Sequence, residues 1–241
     1  MSGIGSCDIV VRKWYRPLSE SVVMGEPEMA RANEVAYTYI RSRILDGTYR
    51  PAQRLIEEQL SEEIKVSRNT IKRALLQLEA EQLVTIEKNK GASVKSFTID
   101  EIAEYYEVRR ALEVIVVGAA IDRITDDEID TLKGIYRHMC ELRVAKDFDG
   151  YSKLNKQFHE TIYQASGKRI AVNLIRNIKT QLMRFQFRTM LVPGRSDASA
   201  AEHKWLLDAF VARDKQAAIA AIETHVSNVS KAILENRELY Y

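Results

Sequence analysis

Residues Val66–Val84 read VSRNTIKRALLQLEAEQLV, and this stretch decides the fold of the N-terminal part of the chain. Ile71, Ala74, Leu75 and Leu78 recur at three- and four-residue steps, which makes one apolar stripe of a helix, while Asn69, Lys72, Arg73 and Leu76 point the other way. Ser67 suits an N-cap, because its hydroxyl can accept from a backbone N–H one turn in that has no intrahelical partner. The helix is therefore expected to start there, with Arg68, Asn69 and Lys72 in its first two turns. Immediately upstream, LIEEQLSEEI repeats the helical period through Leu55, Ile56, Gln59, Leu60 and Ile64, and only Lys65 and Val66 separate the two segments. Two short helices across a tight turn predict a helix-turn-helix, whose second helix enters a DNA major groove with its N-terminal residues on base edges. Periodicity alone suits any amphipathic pair of helices with a solvated polar face equally well.

The distribution of charge favours the DNA reading. The whole chain is +2, from 36 Lys and Arg against 34 Asp and Glu, too little to argue for a polyanionic partner. Residues 1–33 carry 4 basic and 4 acidic side chains, residues 34–97 carry 11 and 9, and residues 98–241 carry 21 and 21, so the excess belongs to the middle block. Within it, Lys65, Arg68, Lys72 and Arg73 cluster with no acid among them, whereas Glu57, Glu58, Glu62 and Glu63 occupy the preceding helix. Such segregation suits one helix presented to phosphates and bases.

After the second helix, LVTIEKNKGASVKSF alternates apolar and polar residues around Asn89, Lys90 and Gly91, which predicts a β-hairpin with Lys88 and Lys90 at its tip. A basic hairpin directly after a helix-turn-helix is a wing, placed to reach the DNA backbone or minor groove. Several parts then agree in order and spacing: the I-L-x-G of Ile44–Gly47, Pro51, Leu55, the L-S-E-E of Leu60–Glu63, V-S-R at Val66–Arg68, A-L-x-x-L-E-x-E over Ala74–Glu81, Leu83-Val84 and Gly91. In these the segment resembles the winged-helix domain of the GntR family of bacterial transcription regulators. The resemblance implies DNA contacts through Arg68, Asn69, Thr70 and Lys72 of the recognition helix. Arg41, Arg43, Arg54, Ser67, Arg73, Lys90 and Gly91 complete the set of DNA-binding candidates. The sequence departs from the family pattern at Ala52, Lys65 and Gln82, where Gly is usual. A left-handed conformation at Lys65 would cost on the order of 1 kcal/mol relative to Gly.

At 241 residues, with 46% apolar and 29% charged side chains, the chain has room for two small domains of ordinary globular composition. Its longest apolar run, Val114–Ile121, falls far short of the roughly 20 residues that span a bilayer, so no membrane association is expected. No apolar run followed by a small-residue cleavage site marks a secretion signal, and Cys7 and Cys140 are isolated, which together predict a cytoplasmic location. Residues 1–30 mix Gly, Ser, Pro and scattered apolar residues without a period and are expected to form a flexible arm. The winged helix-turn-helix domain is assigned to residues 31–97 and a second domain to 98–241.

That second domain reads as helix after helix. Thr98 with Glu101, and Thr125 with Glu128, have capping-box spacing, and Asp214 precedes a long Ala-rich run. Helices are expected at about 99–123, 126–145, 148–166, 168–191, 199–212 and 214–237, which makes a mostly α protein with an all-α C-terminal bundle. YYEVRRALE, the Phe-His of KLNKQFHETIYQASGK, AEHKWLLDAF and ARDKQAAIAAIETHV resemble the FadR-type C-terminal domain, FCD, of GntR regulators.

Asn155 and His159 lie four apart on one helix and share a face, while His203 and His225 come from two later helices. Imidazoles from separate helices can converge on zinc, nickel or manganese inside a bundle. Separate histidines with hydrogen bonds of their own fit the residues alone equally well. The FCD resemblance implies that Asn155, His159, His203 and His225 are the ligand set, with Asn155 where relatives use Asp or Asn, and that His138 lies outside it. It also implies a small carboxylate effector bound at the metal. Arg109 is the candidate second anchor, followed by Gln181, Arg184 and Arg188, although Arg109 could equally pair with Glu113, and Arg184 with Arg188 could form a solvated stripe.

The chain is accordingly expected to be a ligand-responsive transcription regulator, a repressor of a metabolic operon. It would act as a homodimer on a pseudo-palindromic double-stranded operator. A metallohydrolase is disfavoured because HETIY lacks the second histidine of H-E-x-x-H, and a nonspecific architectural DNA protein would be far more basic than pI 8.4.

Overall fold

The computed structural model describes residues 26–189 and 192–236; of residues 26–28, 184 and 186–188 only the backbone is described. The expected N-terminal arm lies, through residue 25, outside the described residues. The chain divides into two compact units, 1–95 and 96–241.

In the first unit, helix α1 spans Glu26–Leu45, strand β1 Arg54–Leu55, helix α2 Glu57–Ile64, helix α3 Arg68–Ala80, and strands β2 and β3 Val84–Glu87 and Gly91–Val94. Helix α1 begins inside the stretch expected to belong to the arm. Pro27 sits in its first turn, where a missing N–H costs no intrahelical bond. Helix α3 starts as its cap dictates: Ser67 Oγ accepts from the Thr70 N–H at 3.1 Å. Its apolar stripe, Ile71, Ala74, Leu75 and Leu78, is buried and packs with Ile40 and Ile44 of α1 and Leu60 and Ile64 of α2. Full burial of Ile71 or Leu78 contributes on the order of 1.5–3 kcal/mol each, so a charge at Leu78 would break the unit.

The predicted hairpin is present, with Val84 opposite Val94 and Glu87 opposite Gly91. Strand β1 adds antiparallel to β3, Leu55 opposite Ala92, which gives a three-stranded sheet ordered β1-β3-β2. Two residues have no readable period, so this strand was invisible to pattern; it forms because β3 would otherwise leave an edge of backbone groups unpaired. Ala52, Lys65 and Gln82, the three departures from the Gly pattern, all adopt the left-handed conformation, at φ 60°, 61° and 58°. The turns keep their geometry and carry the strain in ordinary side chains.

Among its described residues the second unit holds six helices: α4 Ile99–Ala120, α5 Asp126–Val144, α6 Phe148–Ser166, α7 Arg169–Thr189, α8 Arg195–Ala212 and α9 Lys215–Glu235. Both capping boxes form, at Thr98 with Glu101 and Thr125 with Glu128, and Asp147 and Asp214 cap α6 and α9. The main core of the bundle is built on Ile102, Val117, Leu132, Phe158, Leu182, Leu206, Phe210 and Ile222, and a smaller cluster joins Val116, Tyr163, Val172 and Ile175. Helix α8 starts four residues before the expected 199. Gly194, at φ 77°, turns the chain into it, and Arg195 is drawn inward by Glu202 two turns along.

Candidate metal and effector site, and the DNA-facing helix

His159 on α6, His203 on α8 and His225 on α9 meet inside the bundle, with ligand nitrogens all within 4.8 Å of one another. They are 1%, 1% and 5% exposed. The Nε2 atoms of His159 and His203 are 3.2 Å apart. This matches the spacing of about 3.3 Å expected of two imidazoles on one tetrahedral ion with bonds near 2.0–2.1 Å.

The surrounding groups fix which nitrogens are available. His203 Nδ1 lies 2.6 Å from the Ser199 carbonyl, which can only accept, so Nδ1 carries the hydrogen and Nε2 keeps its lone pair. His225 Nδ1 lies 2.8 Å from Glu202 Oε2 and donates to it, which leaves its Nε2 free in the same way. Glu202 is held in turn by both guanidinium nitrogens of Arg195, at 3.0 and 2.9 Å, and by Asn228 Nδ2 at 2.7 Å. Burial alone would raise the Glu202 carboxyl, but hydrogen bonds and charge from His225 and Arg195 hold it down at about 2.

All three imidazoles are biased to the neutral form that coordinates. Burial, then the charge of Lys179 and the other two histidines, pushes His159 well below its ordinary value. Burial and His225 push His203 down to about 3, and burial lowers His225 against the opposing pull of Glu202. Asn155, one turn before His159, has its Oδ1 buried without a hydrogen-bond partner. Three lone pairs and an orphaned amide oxygen are a donor set that fits a divalent ion of the zinc, nickel or manganese kind. His138 is exposed and bonds Glu141, outside the cluster.

Of the effector candidates, Arg109 is 2% exposed and its Nε donates to Glu113 Oε1 at 3.2 Å. The expected i, i+4 pair thus exists, but inside the bundle, and Arg109 Nη1 remains without an acceptor. Gln181 is half-buried, its Oε1 likewise without a partner. Arg184 and Arg188 lie on α7, and their side chains are outside the described residues. Sequence reasoning missed Tyr163, which donates to Glu113 Oε1 at 2.6 Å, and Lys179, whose Nζ is 3.5 Å from Tyr163 Oη. It also missed Arg195, Glu202 and Asn228. Glu202 directly precedes His203, but nothing in one sequence says that it turns toward His225.

On the DNA-facing side, Arg68, Asn69, Lys72 and Arg73 are exposed along the start of α3, and Arg68 forms an ion pair with Glu58 of α2. Thr70 is 8% exposed, and its hydroxyl lies 2.8 Å from the Oγ of the capping Ser67. Arg41 and Arg43 are engaged within the domain, Arg41 by Glu81 at 3.2 Å and Arg43 by Glu63 at 3.9 Å while lying over the Tyr39 ring. Arg54 is exposed on β1. At the wing Lys90 pairs with Glu87 at 2.6 Å, and Gly91 takes φ 82° with open space where a Cβ would stand, so backbone conformation and not crowding calls for glycine.

Comparison with known proteins agrees with both halves. The family model of bacterial regulatory proteins of the gntR family matches residues 32–94, and that of the FCD domain matches residues 104–228. The chain is 25% identical over 193 residues to the HTH-type regulator YdhC of Bacillus subtilis, covering 80% of this chain and 86% of YdhC. It is 22% identical over 209 residues to the HTH-type transcriptional repressor RspR of Escherichia coli, covering 86% and 90%. The fold resembles that of E. coli McbR/YncC, with TM-score 0.69, 18% identity, and coverage of 86% of this chain and 98% of that one. Among the described residues no helix is long and apolar enough to cross a membrane. A winged helix-turn-helix followed by a six-helix bundle with a histidine-lined interior, matched over both parts, makes this chain a GntR-family transcription regulator of the FadR-like FCD subfamily.

Proposed function

We propose that this regulator is a repressor whose helical domain binds a divalent metal ion through His159, His203, His225 and Asn155, and that a small carboxylate effector completes the coordination of that ion. The observation that carries the reading is the 3.2 Å approach of the buried His159 and His203 Nε2 atoms, with the lone pairs of His203 and His225 directed inward by the hydrogen bonds their Nδ1 atoms make to Ser199 and Glu202. An ion held by three neutral imidazoles and one amide keeps its full positive charge and open coordination positions, which suits an anionic ligand. Asn155 supplies a dipole where an aspartate would supply a charge, so metal is held less tightly than by an aspartate-containing set. The name of RspR as a repressor supports the direction of control.

The protein acts as a homodimer, each winged helix placing Arg68, Asn69 and Lys72 on one half of a pseudo-palindromic operator, with Arg73, Arg54 and the wing at Lys90 on phosphates. A gel shift on the promoter of its own operon tests this, run with protein as purified, after chelation, and with added zinc and short-chain carboxylates. Release of DNA by a carboxylate only when metal is present is the expected result. Carboxylate response that survives complete chelation would overturn the metal-centred reading.

A further inference from the structure

Among the described residues of the bundle, Lys179 on α7 is a half-buried cation with no carboxylate partner. Arg109 pairs with Glu113, and Arg195 with Glu202, so each of these couples is neutral. An imidazole that coordinates an ion through one nitrogen and keeps its hydrogen on the other is neutral, so the three histidines add no charge to a loaded site. Lys179 remains: among the described residues no carboxylate oxygen lies within ion-pair distance of its Nζ, and its hydrogen-bonding contact is the Tyr163 hydroxyl at the outer limit of 3.5 Å. Glu160, the nearby acid on α6, is engaged by Arg176.

Lys179 also adjoins the histidine cluster, through Tyr163. Tyr163 is one turn beyond His159 on α6, with ring centroids 6.1 Å apart, and Lys179 Nζ lies 5.3 Å from the Tyr163 centroid. The unsatisfied Arg109 Nη1 belongs to the same cluster, because Arg109 and Tyr163 share Glu113 Oε1 as acceptor. A divalent ion at the histidines would raise the excess to three positive charges, and one carboxylate at the ion would leave two. Excess positive charge at a site partly withdrawn from water favours a ligand that brings a second anion.

We infer that the effector is a short dicarboxylate, with one carboxylate on the histidine-bound ion and the other on Lys179, supported by Arg109. This rests on the metal-centred carboxylate reading proposed above and narrows it. Lys179 is then the residue that separates dicarboxylates from monocarboxylates.

The test is titration calorimetry on the zinc-loaded full-length chain with two probe series, malonate to adipate and acetate to hexanoate. At least one dicarboxylate should bind about tenfold or more tighter than the monocarboxylate of equal chain length. Lys179→Met should erase that advantage while leaving monocarboxylate affinity and zinc content unchanged, and Lys179→Arg should retain most of it. Monocarboxylates that bind as tightly as the best dicarboxylate, or a Lys179→Met protein that loses both classes equally, would overturn the inference but leave the metal-centred reading standing, provided chelation abolishes binding. If neither class binds the zinc-loaded protein, the reading and the inference fall together.

Discussion

Glu202 accepts the Nδ1–H of His225 at 2.8 Å while the Arg195 guanidinium grips the same carboxylate at 3.0 and 2.9 Å. One carboxylate thus aims a candidate metal ligand and closes a buried ion pair. Glu202→Gln should weaken zinc binding by about 10–100-fold, since the amide can present its NH₂ to His225 and turn the imidazole the wrong way. It should also destabilise the helical domain by about 3–5 kcal/mol, because Arg195 is left as an uncompensated buried charge. Competition against a chromophoric chelator and thermal unfolding measure the two effects. Unchanged zinc affinity would mean that His225 is oriented without Glu202.

Acid should destabilise the metal-free protein before it protonates ordinary carboxylates. The folded-state values of His159, His203 and His225 lie below the ordinary 6.5, so the unfolded chain binds protons that the folded one refuses. Their contribution is fully present above about pH 6.5 and is lost as pH falls below it, down to about 3 for His203. Each such histidine costs up to about 1.4 kcal/mol per pH unit in that window. Glu202, depressed to about 2, adds a second loss only below about pH 4.5. In EDTA-treated protein Tm should therefore drop between pH 7 and 5, and His203→Gln should flatten the slope. A pH-independent Tm over that range would contradict a buried neutral cluster.

At the DNA-facing end, Arg68→Ala should cost about 1–3 kcal/mol of specific binding if its guanidinium reads a guanine, whereas Lys90→Ala should mainly lower the salt dependence. Because Glu58 holds Arg68 in the free protein, Glu58→Gln should tighten operator binding by a few-fold, in line with an exposed pair worth at most about 1 kcal/mol. Fluorescence anisotropy on matched and scrambled duplexes at two salt concentrations separates these effects. Equal losses on both duplexes from Arg68→Ala would assign that residue to phosphate.

Ala52 and Lys65 hold left-handed backbone conformations at φ 60° and 61°. Ala52→Gly and Lys65→Gly should each stabilise the winged-helix unit by up to about 1 kcal/mol, the relief of Cβ strain exceeding the extra entropy of glycine in the unfolded chain. Chemical denaturation of both variants checks this, and a loss of stability in both would show that their side chains contribute more than the strain they impose.

The sequence by itself determined the elements whose signals are local. The α3 stripe, the Ser67 cap, both capping boxes and the wing's Gly91 each depend on residues within a turn or two, and so does the order of a helix-turn-helix, a hairpin and six helices. The histidine set was legible only through the spacing that a known family supplies, because residues 44 and 22 positions apart carry no local sign of meeting. Tertiary packing alone decided the rest. Strand β1 exists because β3 offers it an edge. Thr70 is turned inward, its hydroxyl bonded to that of the capping Ser67. Glu202 became the partner of His225 and Arg195 because α8 and α9 bury them together, and Lys179 on α7 was left half-buried beside Tyr163 with no carboxylate partner. The cost of burying a charge depends on what surrounds it, and a linear sequence does not record those surroundings.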